Sequence, residues 1–327
     1  MVRPQRSCYT AHWLRYAVLI AILTLLVVDG VVHAGAAQEF QLVLRGARIY
    51  PSPTAPPIDN GTLLIRDGKI ADITTAPPPS LSPATRVINA EGLVVTAGFW
   101  NCHVHFIEPH WRNAAGRTER ELNEHLRSML TRYGFTSVVD TGSDVTNTHA
   151  LRHRISQGVQ GPQIVMASGS FVAENGSPAY LPVKLPELKT PDQAEQQTRA
   201  VLAHGADAIK IFTGSFLGPD RVALMPLPII KAVTTEAHRQ GKLVVAHPQS
   251  LQGVELALDA GVNILAHTAP QGGVWSDALV TRLVQSGISL IPTLKLWGFE
   301  LTRNGAPAAV VSKRKINPYP FVSYTPP

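Results

Sequence analysis

Five residues, His103, His105, Lys210, His247 and His267, have the types and the spacing for chemistry on a metal ion. In His103-Val104-His105 the strand repeat of two places both imidazoles on one side, a spacing suited to two ligands on one ion. His247 ends the apolar run Leu243-Val244-Val245-Ala246, and His267 ends Ile264-Leu265-Ala266, so two successive strands deliver an imidazole at the same depth. Lys210 lies inside Ala208-Ile209-Lys210-Ile211-Phe212, where an unpaired ammonium is costly to bury. The amine is therefore expected to be neutral, converted by carbon dioxide into a carbamate able to bridge two cations, or paired with a carboxylate such as Asp140.

A site of this kind also needs a carboxylate to take a proton from water. No aspartate follows Asp277, and Glu300, the only carboxylate of the last fifty residues, lies in a stretch with helical character. The general base is therefore not identified in this chain. Other titratable residues have plainer explanations. His149 and His153 share a solvated helix face, His204 and His238 sit near helix C-termini where the dipole favours positive charge, and Cys102 points away from His103 as a buried thiol.

The elements that must position these groups form a repeated unit of amphipathic helix, glycine stop and short apolar strand. It is clearest at Gly134, Gly205, Gly241, Gly261 and Gly287. Glycine suits the left-handed position that ends a helix, and uniformly apolar strands belong to a parallel sheet covered on both faces. With a strand at Leu93 to Thr96 continuing toward His103, and another at Gln163 to Ala167, about seven strands are expected between residues 93 and 294. This is a (β/α)8-type TIM barrel, α/β in class, in which the eighth strand is not found.

Ahead of it, short alternating runs and the hairpin signal Asp67-Gly68 indicate a small β-sandwich. The expected organisation is an export signal over 1–37, the β-sandwich over 38–95, the barrel over 96–311 and an irregular tail over 312–327. Arg3, Arg6 and Arg15 precede an apolar run from Ala17 to Val28, and small residues follow at Ala34-Gly35-Ala36. The protein is therefore expected to be exported to the periplasm or secreted, and to meet a membrane only if the signal stays attached. Cleavage removes Cys8 and leaves Cys102 alone, so no internal disulfide forms.

Composition bounds the rest. The chain has 327 residues, 45% hydrophobic and 16% charged, which is ample for a large core. The net charge of +6 comes from scattered basic residues whose longest cluster, Lys313-Arg314-Lys315, lies in the tail. Nucleic acid is therefore not an expected partner, because it requires a continuous basic face.

The segment Ala97-Gly98-Phe99-Trp100-Asn101-Cys102-His103-Val104-His105-Phe106, with Ala208 to Thr213, Ala246-His247 and Ala266-His267, resembles the amidohydrolase superfamily, in its imidazolonepropionase-like and prolidase-like branch. The resemblance covers about residues 40 to 300. It implies one or two zinc ions or another divalent metal, with His103 and His105 on the more buried ion, carbamylated Lys210 bridging, and His247 and His267 on the second. It further implies hydrolysis of a small amide, lactam or dipeptide-like substrate by metal-activated water. Asn101 stands where many members have aspartate, and the aspartate of the eighth strand is not found. The alternatives are a truncated, inactive remnant of such an enzyme and an exported binding protein that uses the barrel pocket. Glu108, His110 and Trp111 after the first strand, and Tyr180 after the third, are candidate substrate contacts. Homo-oligomerisation stays open.

Overall fold

The structure is a computed structural model that describes residues 40–77, 80–269 and 274–293. The expected export signal, the residues after 293 and Glu300 among them lie outside the described residues. The chain divides between Ala97 and Gly98 into two compact units. Among the described residues no helix is long and apolar enough to cross a membrane.

The first unit is built on β1 (Leu42–Ile49), β2 (Ile58–Arg66), β3 (Lys69–Thr74), β4 (Arg86–Asn89) and β5 (Val94–Val95). These form one five-stranded mixed sheet in which β1 pairs antiparallel with β2 and parallel with β4 and β5. Asp67 and Gly68 both adopt positive φ, +53° and +68°, as a two-residue hairpin turn between β2 and β3 requires. The segment read as the barrel's first strand is divided differently from the expectation. Val94-Val95 pairs with β1, and the barrel begins instead at Phe99.

The second unit contains the parallel sheet. Its strands are β6 (Phe99–Val104), β7 (Phe135–Asp140), β8 (Gln163–Ala173), β10 (Ala208–Phe212), β13 (Leu243–His247), β14 (Ile264–Leu265) and β15 (Ser289–Leu290), hydrogen-bonded to one another in sequence order. Seven parallel strands in sequence order are a curled half-barrel, as the repeated unit indicates. A short strand, β9 (Glu187–Leu188), pairs beyond β8, and β11 (Gly214–Gly218) with β12 (Arg221–Leu224) forms a separate hairpin after β10. The connecting helices are α1 (Glu119–Met129), α2 (Val145–Ser156), α3 (Pro191–Ala203), α4 (Leu227–Arg239), α5 (Leu251–Asp259) and α6 (Asp277–Ser286).

Local chemistry explains the boundaries. α1 starts with a capping box between Thr118 and Glu121, and Asp144, Thr190, Ser250 and Ser276 cap α2, α3, α5 and α6. The five stop glycines take φ between +67° and +90°, the conformation a helix needs in order to turn back into a strand.

Strand alternation then sorts the side chains into two layers. Ile209, Ile211, Val244 and Ala246 pack with Ile229, Ile230, Val233 and Val254 of the helices in the largest apolar cluster. On the opposite side of the sheet Ala167, Ala208, Val245 and Ala266 form a second cluster with Val139. Lys210 and His247 each follow a member of that inner layer by two residues, so they share its side.

Candidate active site

β6 ends at Val104, with His103 as its penultimate residue and His105 one residue beyond. The two imidazoles converge, Nε2 to Nε2, at 3.1 Å. Thr141, whose backbone N–H donates to the Val104 carbonyl at 3.0 Å, brings its hydroxyl to 3.5 Å from His105 Nε2.

His247 closes β13 and His267 follows β14 by two residues. The His267 ring lies 4.5 Å from that of His103 and 4.7 Å from that of His247, centroid to centroid. Lys210, central in β10, is 2% exposed, and its Nζ lies 5.2 Å from the centre of the Phe212 ring. The sheet therefore brings all five residues singled out from the sequence to one rim.

Electrostatics at this rim disfavour protons. Burial lowers the Lys210 amine to about 7. Burial first, and the Lys210 charge second, lower His105 to about 4 and His247 to about 3. His103 and His267 are also pushed far below the usual imidazole range, with burial again the largest cause. Each neutral imidazole keeps one nitrogen lone pair, and imidazole nitrogen is a common ligand of transition metals.

Two observations test the fit of such an ion. Nitrogens about 2.1 Å from one zinc ion, at an angle near a right angle or somewhat wider, lie roughly 3 Å apart, as Nε2 of His103 and His105 do. His103 Nδ1 is buried without a hydrogen-bond partner. Convergence stays pairwise, however. Among the described residues, no three histidine, cysteine, aspartate or glutamate side chains gather closely enough to share one ion. His247 Nε2 is instead 3.0 Å from Gln249 Oε1, and His267 Nδ1 is 2.6 Å from Thr293 Oγ1.

Asp140 does not pair with Lys210, contrary to one expectation. It neighbours Val139 of the inner layer and so points to the other side of the sheet, where Oδ1 accepts from the Ser143 hydroxyl at 2.6 Å and Oδ2 from Thr148 of α2 at 2.8 Å. Burial raises its carboxyl to about 6, against those hydrogen bonds.

The candidate substrate residues separate. Trp111 is fully buried and packs edge-on against Phe106, inside an apolar cluster with Leu122 and Leu126; its place is the core. Glu108 precedes the short turn Pro109–Trp111, and its Oε2 is buried without a hydrogen-bond partner. The partly exposed His110 ring lies 4.9 Å from that of His125. Tyr180 stacks on Phe216 of β11 at 6.5 Å, and the neighbouring Ala179 N–H donates to the Phe216 carbonyl. The loop after the third barrel strand is thereby fastened to the hairpin that follows Lys210.

Three histidines away from the rim meet oxygen atoms nearby. His149 Nε2 meets the His204 carbonyl, His204 Nδ1 meets the Ala200 carbonyl, and His238 Nε2 meets Asn263 Oδ1. Sequence reasoning passed over Thr141, Gln249 and Thr293. The one available signal was the position of Gln249, two residues after His247 in a turn that opens with proline.

Comparison with known proteins agrees with this architecture. The model of the amidohydrolase family matches residues 94–296. Ochratoxinase of Aspergillus niger is 26% identical, over 76% of this chain and 58% of its own length; the chain thus spans somewhat more than half of that curated relative. Among solved structures, a prolidase complexed with N-methylphosphonate-L-proline superposes with a TM-score of 0.64 at 23% identity, over 81% of this chain and 69% of that one. A prolidase-like protein from Bifidobacterium longum gives 0.63 at 25% identity, over 78% and 61%. With a family model spanning more than half of its residues, and all five rim residues inside that span, the chain belongs to the amidohydrolase family.

Proposed function

We propose that the protein is a metal-dependent hydrolase of carbon–nitrogen bonds in small molecules, acting on a cyclic amide, a non-peptide amide or a dipeptide-like substrate. The observation that carries this reading is the gathering of four neutral imidazoles around a buried amine, with His103 and His105 converging at 3.1 Å. The named relatives, an ochratoxinase and a prolidase, agree with that substrate class.

His103 and His105 would hold one divalent ion, zinc by donor type, and His247 and His267 a second, with Lys210 between. When bound, zinc lowers the pKa of water and polarises the scissile carbonyl. The chain's own residues supply the setting. Burial keeps the imidazoles unprotonated, so their lone pairs are present across neutral pH. The Lys210 amine, lowered to about 7, is substantially unprotonated there, which is the form that adds to carbon dioxide and releases one proton as it becomes a carbamate. Tyr180 and Phe216 would form an apolar wall against the substrate's side chain.

Metal binding without turnover is the second reading, and one observation favours it. Among the described residues, no aspartate or glutamate is hydrogen-bonded or ion-paired to His103, His105, Lys210 or His247. General acid–base help is worth roughly a hundred- to ten-thousandfold in rate, so the two readings separate kinetically.

The test is to load the full chain with zinc and measure release of amino acid from N-acyl amino acids and Xaa-Pro dipeptides. Turnover that disappears in His103→Ala is the expected result. Retained zinc without turnover of any such substrate selects the second reading, and absence of zinc binding sinks both.

A further inference from the structure

The strand carrying His247 ends in an unusual turn. The Ser250 N–H donates to the Pro248 carbonyl at 2.6 Å, closing a three-residue γ-type turn around Gln249, which holds φ at +55°. Left-handed backbone is uncommon for glutamine, and strain of this kind persists only where the surroundings enforce it. Here they do. A Cβ on Gly214 would lie 2.2 Å from the Pro248 oxygen, and one on Gly253 would lie 1.9 Å from it, so both neighbours must be glycine for the turn to seat. Thr213 ties the region together, its hydroxyl donating to the Gly253 carbonyl at 2.8 Å and its N–H to the His247 carbonyl at 3.0 Å.

The consequence of the turn is where it sends the glutamine. Gln249 is 4% exposed and His247 5%, and Gln249 Oε1 sits 3.0 Å from His247 Nε2. A carboxamide oxygen only accepts. A neutral imidazole carries one N–H, so a ring that donates through Nε2 has its lone pair on Nδ1. The ring is also pinned in orientation, with Phe212 tilted at 32° and 4.7 Å on one side and His267 edge-on at 4.7 Å on another.

We propose that Gln249 is the positioning residue of His247, fixing the neutral imidazole as the Nε2–H tautomer so that Nδ1 is the nitrogen presented for an ion. The proposal rests on the metal-site reading for its purpose, but not for its test. An outer partner of this kind fixes ring orientation and typically changes metal affinity by about 10- to 100-fold.

The experiment is two-bond proton–nitrogen NMR on the metal-stripped full chain with 15N-labelled histidine, the His247 signals being assigned by their loss in His247→Asn. The wild type is expected to show His247 protonated on Nε2. Gln249→Leu, similar in size and unable to accept, should lose that preference and weaken zinc binding 10- to 100-fold, whereas Gln249→Glu, which still accepts, should restore both. Protonation on Nδ1 in the wild type overturns the proposal without recourse to any variant. So does a Gln249→Leu protein with unchanged tautomer and unchanged zinc affinity. If the wild type holds no zinc yet shows the Nε2–H tautomer that Gln249→Leu loses, the metal reading falls and the role of Gln249 stands.

Discussion

The two halves of the rim are held in different ways. At β6 the His103 and His105 nitrogens face each other, and His103 Nδ1 has no hydrogen-bond partner. Across the sheet, His247 and His267 are each engaged by a neighbouring side chain, Gln249 and Thr293, and both neighbours hold positive φ, +55° and +42°. Positive φ at a β-branched threonine is a backbone outlier. One half is thus a pair of facing ring nitrogens spaced to suit one cation, whereas the other is a pair of rings oriented by the protein itself. Substitutions in the first half should abolish ion binding, and substitutions in the second should weaken it in steps.

The largest effect is expected at His105. His105→Ala removes one of two converging nitrogens and should lower zinc affinity by more than about a hundredfold, measured by competition with a chromophoric chelator. An affinity within threefold of wild type would erase the distinction between the halves. Lys210→Met comes next and acts on stability. The buried ammonium is disfavoured at any pH below its ordinary range, so its removal should stabilise the metal-free protein at pH 6 by about 2 kcal/mol, read as a shift in urea midpoint. Destabilisation there would show that Lys210 has a partner that compensates its charge.

In the second half, Thr293→Val keeps the shape and removes the hydroxyl that meets His267 Nδ1, so zinc affinity should fall by roughly tenfold. A loss as large as that from His105→Ala would mean that both halves depend equally on the metal. The smallest effect lies outside the site. Asp140 is raised to about 6 from 3.8 by burial, so the folded state holds its proton more tightly than the unfolded state does. Stability from this group is therefore full below about pH 4 and is lost as pH rises toward 6. Asp140→Asn should flatten that slope in urea titrations at pH 4 to 6; an unchanged slope would assign it to other groups.

Much of this arrangement was legible in the sequence, for a physical reason. A parallel strand buried on both faces reads as an uninterrupted apolar run, so a histidine or lysine in one stands out, and the glycine that ends each helix marks where the next strand begins. The order and rim position of Lys210, His247 and His267 follow from those two signals, and the strand spacing of two places His103 and His105 on one side. What was not legible depended on pairing and on side-chain direction. Val94-Val95 reads like the start of a barrel strand, yet pairs with β1, because a two-residue run carries no information about its partner. Trp111 follows the first strand as a pocket residue would, yet its ring completes the cluster around Leu122 and Leu126. Asp140 and Lys210 lie on strands separated by β8, and the alternation of β7 places them on opposite sides of the sheet. Gln249 and Thr293 were hidden because local backbone, rather than composition, aims their side chains.

The claim that the converging histidines form a metal site is tested most directly by X-ray absorption at the zinc edge on the full chain loaded with one equivalent of the metal. The expected spectrum shows nitrogen neighbours at about 2.0–2.1 Å with the outer-shell pattern of two or more imidazoles, and loses that pattern in the His103→Ala, His105→Ala double variant. Zinc that washes out on desalting, or a spectrum without imidazole scattering, would contradict it.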